Sequence, residues 1–376
     1  MTIDAEERTA LAEAVRAAAS GGPRDFLVDR GTPQRDAKLW HVIAEQMGLT
    51  GLLVPEEHGG AGAGVVEMAL VLEELARVLA VVPALSSMGA AVGVLRTLGT
   101  TDAERLLIEL VSGSTTATVA WPAPESHHTR PVLTAAGTAE AGAKVAVSGS
   151  TGFVLDGCGA DIVLAPARCG DSVVVVAVET ADSWVNCTPM DSLDLTRGLA
   201  EVTFTEVPGT VLAVDADLQS ALDLTLVLIA AEQIGIAQQC HDTAVAWAKE
   251  RVQFDRPIGQ FQAIKHQLVD LLMDVELARS SLDVAVQAAD AYLEAPQPVL
   301  GRALSVAASV AKARCGDAAM RVADQSLHIL GGIGFTWEHD AHLYFRRAKT
   351  LEVLLGSPAE HRRRFTTLLL EDARNG

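Results

Sequence analysis

The sequence predicts an α+β protein of several domains: an N-terminal helical domain over 1–113, a middle antiparallel β domain over 114–213 and a C-terminal four-helix bundle over 214–376. Two observations carry this. Apolar residues recur at helical spacing in the first and last stretches, whereas short β-rich runs bounded by turn residues fill the middle. The length of 376 residues accommodates two or three domains with buried cores. Apolar residues make up 49% and aromatics only 4%, so Ala, Leu and Val must fill the core, which suits packed helices.

In chain order, Leu39–Met47 reads as an amphipathic helix stopped by Gly48, and Pro55–Gly62 as a loop. Val65–Leu79 reads as a helix that carries Glu73 and Glu74. From about Thr115 the pattern becomes short strands: Lys144–Gly149, Ala160–Ala165, Val173–Val178 and Ala200–Phe204. Helical periodicity returns near residue 217. It breaks at Arg256-Pro257-Ile258-Gly259 and at Gly331-Gly332-Ile333-Gly334, which predicts four long antiparallel helices. There is no repeat at a solenoid period and no low-complexity linker.

The net charge of -19 argues against nucleic acid as a partner, because phosphate backbones need a concentrated basic surface. A single nucleotide cofactor is compatible with it. Cys158, Cys169, Cys187, Cys240 and Cys315 are dispersed without a C-x-x-C pair, which predicts neither a zinc site nor a redox pair. Reduced thiols in a cytoplasmic protein are expected. The first residues, Met1 to Arg8, are acidic and lack the pattern of a signal peptide. The apolar run Leu224–Ala231 is too short to span a bilayer, so no membrane association is expected.

Three segments occur in a recognisable order. Leu53-Val54-Pro55-Glu56-Glu57-His58-Gly59-Gly60 is the first, and Arg251-Val252-Gln253-Phe254-Asp255-Arg256-Pro257-Ile258-Gly259-Gln260-Phe261-Gln262 is the second. The third is Leu330-Gly331-Gly332-Ile333-Gly334-Phe335-Thr336, followed by Phe345-Arg346-Arg347-Ala348-Lys349. Together they resemble the acyl-CoA dehydrogenase family, and the resemblance extends over essentially the whole chain. It implies the acyl-CoA dehydrogenase architecture, FAD as cofactor and α,β-desaturation of an acyl-CoA thioester in fatty acid or steroid catabolism. It also implies a tetramer, homo-oligomeric or built with a paralogous acyl-CoA dehydrogenase subunit, and electron-transferring flavoprotein as acceptor. By this resemblance Arg251 binds the FAD diphosphate of a neighbouring subunit, a task suited to a planar cation with paired donors. Phe254 packs near the dinucleotide, Gln262 contacts FAD, and His328-Ile329-Leu330-Gly331-Gly332 borders its adenosine portion. His328 stands where relatives usually carry glutamine; imidazole still offers one hydrogen bond. Read without the resemblance, Arg251 is a solvated helix end paired with a nearby acid.

Elsewhere the chain departs from the family pattern. Relatives carry a Thr-Glu-x-x-Ala-Gly-Ser-Asp stretch where this chain has Trp121-Pro122-Ala123-Pro124-Glu125-Ser126-His127-His128-Thr129. Gly152-Phe153-Val154-Leu155 stands in place of a Trp-Ile-Thr string at the flavin ring. Counting from Arg346-Arg347-Ala348-Lys349, the usual catalytic glutamate falls on Leu355, and Glu352 and Glu360 are out of position. The FAD contact downstream of it becomes Ser357-Pro358-Ala359. The family's other site for the base falls on Thr225, with Leu226 for the usual arginine. Two acids share that helix, Asp223 and Glu232. Glu232 lies two turns from Thr225 on one face, in an apolar run, which makes it the candidate relocated base. The alternative is a structural partner for a bundle arginine such as Arg314 or Arg321. His339 and His342 are spaced one helical turn apart without a Glu or Cys to complete a metal set, so no metal is expected. Trp337-Glu338-His339-Asp340 resembles a string of members acting on bulky or steroid-like acyl-CoA. Two functions therefore remain open: an FAD-linked acyl-CoA desaturase, alone or as one subunit of a heteromer, and a non-catalytic partner subunit or scaffold that completes the FAD site of a paralogous chain.

Overall fold

The computed structural model describes residues 5–27, 33–122 and 130–375. Helix α1 (Ala5–Ala18) precedes α2 (Ala37–His41), whose first turn is capped by the Asp36 carboxylate accepting from Leu39 N at 2.9 Å. The helix predicted over Leu39–Met47 widens into a π-helical turn at Val42–Gln46 and stops at Gly48, which has φ +68°. Helix α3 (Val65–Arg77) ends two residues before its predicted terminus, because Leu79 turns into the left-handed region at φ +54°. Its first N–H groups are satisfied from a distant element: Asp290 accepts from Val65 N at 2.5 Å. A π-helical stretch, Ala84–Ala91, leads into α4 (Val92–Leu98), and α5 (Thr101–Val111) closes the first region.

The middle region holds β1 (Ala117–Val119), β2 (Leu133–Ala136), β3 (Lys144–Leu155), β4 (Ile162–Cys169), β5 (Ser172–Glu179), β6 (Val185–Pro189) and β7 (Leu199–Val214). Strands pair in the order β1-β4-β2-β3-β7-β5, and β5 also pairs with β4. The strands β4, β2, β3, β7 and β5 therefore form a ring, which removes their edges. β6 lies outside it on β7. Pairing is antiparallel except at β1–β4 and β2–β4, which are parallel. Val147, Val163, Val174, Val176, Phe204 and Val211 fill the ring.

Three helices of 33 residues follow: α6 (Leu218–Glu250), α7 (Gln262–Glu294) and α8 (Pro298–Leu330). Shorter α9 (Ala341–Val353) and α10 (Pro358–Asn375) complete the bundle. At 1.5 Å per residue the long helices reach about 50 Å. α6 packs on α8 and α7 on one side and on α3 on the other. Gly235 permits that crossing: a Cβ there would lie 2.2 Å from the Glu73 carbonyl oxygen. Arg279 of α7 forks onto Glu73 of α3 with two 2.8 Å bonds, and Asp223 of α6 accepts from Arg364 of α10 and from Ser305 of α8. Burial pushes the Asp223 carboxyl up, against the pull of Arg364. By length and apolarity α6 alone among the described helices could cross a membrane, and its apolar window is wholly buried in the protein. The local run Leu224–Ala231 understates this helix, because Leu218, Ala221 and Leu222 before it and Ile234, Ile236 and Ala237 after it extend its buried apolar stretch.

Candidate functional site

The outer face begins where α6 ends. Arg251 N caps the helix on Trp247 O at 2.8 Å, and Val252–Gln253 pairs with Arg256–Pro257 as a small hairpin. Phe254 and Asp255 form its tip in left-handed conformation, and Phe254 is 86% exposed. Arg251 is exposed, with its guanidinium 5.8 Å from the Trp247 ring. It is the solvated helix end that the sequence suggested, but without the nearby acid partner: no ion pair to it forms among the described residues. Gln262 opens α7 and is also exposed.

The glycine bend lies beside this corner. Trp247 packs against the cluster Leu327, Leu330 and Ala341, together with Ile333 and Phe345. Gln267 donates to Gln325 at 2.8 Å, joining the start of α7 to the end of α8. His328 is exposed, bonded through Nδ1 to Asp324 O at 2.9 Å and edge-on to Phe335. Gly331 has φ +68°, which favours glycine, and turns the chain outward. Arg251, Phe254, Gln262, His328, Gly331 and Gly332 thus belong to one surface region. Ile329 and Leu330 do not present side chains there: they are 6% and 4% exposed and belong to the core. Helix periodicity turns their side chains inward and leaves their backbone near the bend.

The inner face is built around the turn after α9. Leu355 adopts φ +54° and is 8% exposed. His361 of α10 bonds its carbonyl through Nε2 at 3.1 Å. Lys312 of α8, fully buried, donates to Glu352 O and Gly356 O at 3.0 Å each. Burial pushes this lysine down to about 7, with Glu352 opposing. Leu355 borders two cavities. One, of about 320 Å³, lies between Trp121, Phe153, Met190, Leu193, Val353 and Leu355. Trp121 Nε1 is buried there without a hydrogen-bond partner among the described residues. The other, between Ser86, Thr118, Trp121, Phe153 and Leu355, holds about 10 Å³. That is no more than a single water.

Neither alternative base position carries a usable acid. Thr225 is buried and donates its hydroxyl to Ala221 O of its own helix at 3.0 Å, and Leu226 is fully buried. Glu232 is engaged elsewhere. Arg197, from the turn before β7, donates Nη2 to both its oxygens at 2.7 and 2.6 Å, and Arg347 Nη1 lies 3.9 Å away. Arg347 in turn pairs with Asp194 and donates to Thr196 O at 3.0 Å. All four charged side chains are at most 8% exposed. Burial pulls Arg197 down, yet Glu232 and Asp194 together hold it above its ordinary value; burial lowers Arg347 despite Asp194. Both Glu232 oxygens are therefore engaged by a buried guanidinium, which makes this carboxylate the ionic partner of Arg197. Its structural partner is also not the one expected, because Arg314 and Arg321 turn to Asp274 instead. Sequence reading missed Arg197, Asp194 and Arg347. They are 35 and more residues from Glu232, and no local pattern announces such pairs.

His339 precedes α9 and caps it by accepting from Ala341 N at 3.0 Å, while His342 lies in α9 with its ring 4.4 Å from that of Trp337. They are not stacked on one helix as the spacing suggested. No group of three or more metal-ligating side chains occurs among the described residues. The altered string Ala123–Thr129, with His127 and His128, lies outside the described residues.

Comparison with known proteins adds three findings. Residues 5–114 match the acyl-CoA dehydrogenase N-terminal domain and residues 216–367 the acyl-CoA dehydrogenase C-terminal domain. The chain is 35% identical over 331 residues to acyl-CoA dehydrogenase IpdE2 of Mycolicibacterium smegmatis, covering 88% of this chain and 87% of that protein. Among solved structures it superposes on a variant of the steroid ACAD Tcur3481–Tcur3483 with a TM-score of 0.86 at 28% identity, covering 98% of this chain and 99% of that one. It superposes on the ChsE4–ChsE5 complex from Mycobacterium tuberculosis with a TM-score of 0.84 at 27% identity, covering 98% of each.

Proposed function

The chain belongs to the acyl-CoA dehydrogenase family, and from that premise we propose that it is the non-catalytic subunit of a heteromeric, FAD-dependent acyl-CoA dehydrogenase. Members of this family bind FAD, which when bound supplies the hydride-accepting ring for α,β-desaturation of an acyl thioester. One observation carries the reading. At the position of the proton-accepting glutamate stands Leu355, an apolar side chain on the wall of both the 320 Å³ cavity and the 10 Å³ void beside it. Leucine cannot accept a proton, and the nearest candidate on α6, Glu232, is tied to Arg197.

The outer face supports the other half of the proposal. Arg251 is exposed, with its guanidinium near the Trp247 ring and in no ion pair among the described residues. It suits a pyrophosphate, to which guanidinium donates paired bonds. Gln262 and His328 add donors beside it, and Gly331 and Gly332 allow close approach of an adenosine. Phe254, projecting from the hairpin tip, suits a role across a subunit boundary. In this arrangement the chain orients the diphosphate and adenosine of FAD, while the paralogous chain contributes the ring pocket, the base and the acyl-CoA site. The similarity to the ChsE4–ChsE5 complex and to the steroid ACAD favours a bulky or steroid-like acyl-CoA as the substrate of that assembly, in the cytoplasm, with electron-transferring flavoprotein as acceptor.

The test is co-purification. The chain is prepared alone and with a paralogous acyl-CoA dehydrogenase chain, and flavin absorbance and acyl-CoA-dependent dye reduction are recorded for each. The expected result is no turnover by the chain alone, whether or not it is yellow, and turnover by the pair. Leu355→Glu should not confer activity on the isolated chain. Turnover by the unaltered chain alone would exclude the proposal, and a pair without flavin would reduce it to a scaffold.

A further inference from the structure

The two cysteines nearest the surface are Cys158, which is exposed, and Cys187, which is half-buried; the other three are buried. Neither has a role in the site described above. They lie on different elements, and the fold brings them together in steps that can be followed. Cys158 sits on the turn between β3 and β4, which Asp156 initiates in left-handed conformation at φ +52°. The turn folds back over β7: a Cβ on Gly157 would lie 3.1 Å from side-chain atoms of both Ala200 and Val202. Cys187 is the residue of β6 that pairs with Val202 in register, so it lies beneath the same turn. Its thiol donates to the carbonyl of Gly157, the residue before Cys158, at 3.2 Å.

We propose that Cys158 and Cys187 form a reversible intrachain dithiol–disulfide site, the oxidant being a peroxide. The exposed Cys158 sulfur attacks the peroxide, whose O–O bond breaks; one water leaves and Cys158 becomes a sulfenic acid. The Cys187 sulfur then displaces the hydroxyl from Cys158, giving up its own proton, and a second water leaves. Two thiols and one hydrogen peroxide thus yield one disulfide and two waters, with two electrons passing from the sulfurs to the peroxide oxygens. The order of attack follows from access. Burial, with a further contribution from Cys158, pushes the Cys187 thiol up to about 11, which suits a resolving rather than a first-attacking sulfur. The bond would tie the edge strand β6 to the β3–β4 turn. β6 runs on to Met190, whose sulfur accepts from Phe153 N at 3.3 Å, so the link bears on one wall of the 320 Å³ cavity.

The experiment treats the purified full-length chain with a small molar excess of hydrogen peroxide, denatures it, alkylates free thiols and counts them by mass spectrometry. Alkylatable thiols should fall from five to three, since two are consumed, and return to five after dithiothreitol. Peptide mapping should join Cys158 to Cys187. Cys169→Ser should leave the link intact, and Cys187→Ser should let Cys158 proceed to the sulfinic acid. Retention of all five thiols, or sulfinic Cys158 with Cys187 still alkylatable in the unaltered chain, would overturn the proposal. So would a reducible dimer joined through Cys158.

Discussion

Replacing Glu232 by glutamine tests the assignment of this residue as a counter-ion. The carboxylate accepts two bonds from Arg197, at 2.7 and 2.6 Å, and faces Arg347 at 3.9 Å, with all three side chains almost out of contact with water. Glutamine keeps the shape and one acceptor but not the charge, so Arg197 becomes a buried cation facing only the more distant Asp194 and Asp156. Breaking a buried pair from one side costs about 3–5 kcal/mol. Unfolding entropy near 2.1 cal/mol/K per residue gives roughly 0.8 kcal/mol/K for a chain of 376 residues. The expected fall in Tm is therefore about 4–6 °C if the chain unfolds as one unit. Differential scanning calorimetry of the isolated chain reads it directly. A second variant separates charge from packing: Arg197→Met with Glu232→Met removes both partners and should recover most of the loss, because neither charge then remains buried alone. A Tm within about 1 °C of the parent for Glu232→Gln would refute the reasoning. So would a double variant as unstable as the sum of the two single changes.

Other outcomes follow from single contacts. Arg251→Ala should weaken FAD binding by the paired complex by about 10- to 150-fold, the loss of charge-assisted bonds worth about 1.5–3 kcal/mol, and flavin fluorescence titration measures it; an unaltered affinity would remove Arg251 from the FAD site. Lys312 should make the chain more stable as pH rises from about 7 toward the lysine range. The unfolded chain keeps the proton on this residue up to about pH 10.4 while the fold releases it near 7, so the unfolded state binds more protons across that window. Urea midpoints measured between pH 7 and 9.5 should climb in the parent and climb less in Lys312→Met. Gly235→Ala puts a methyl 2.2 Å from Glu73 O and forces α3 away from α6, which should cost about 1–3 kcal/mol in denaturant unfolding.

The order of helical, β and helical regions was legible in the amino-acid string, as were the breaks at Arg256–Gly259 and Gly331–Gly334. Both are local properties: side-chain periodicity repeats within a few residues, and proline or glycine interrupts it wherever it stands. The absence of an acid at Leu355 and Thr225 is equally a matter of residue identity. The string did not say that the Ile329 and Leu330 side chains are buried, because a linear motif does not show which side of a helix turn looks inward. It left Glu232 open between base and counter-ion for a related reason. The partner is Arg197, brought from the turn before β7, and the second guanidinium is Arg347 on α9; which cation meets Glu232 depends on how the β ring seats against α6.

Cavity size is of the same kind. The 10 Å³ beside Leu355 results from Ser86, Thr118, Trp121 and Phe153 converging from three separate segments, and no one segment carries that volume. The meeting of Cys158 with Cys187 likewise needs a turn folded over a strand register. Patterns along a chain specify elements and their punctuation, because the forces that set them act between near neighbours. Distances between elements arise only when the apolar faces pack together, and ion pairs, pockets and thiol contacts are made of such distances.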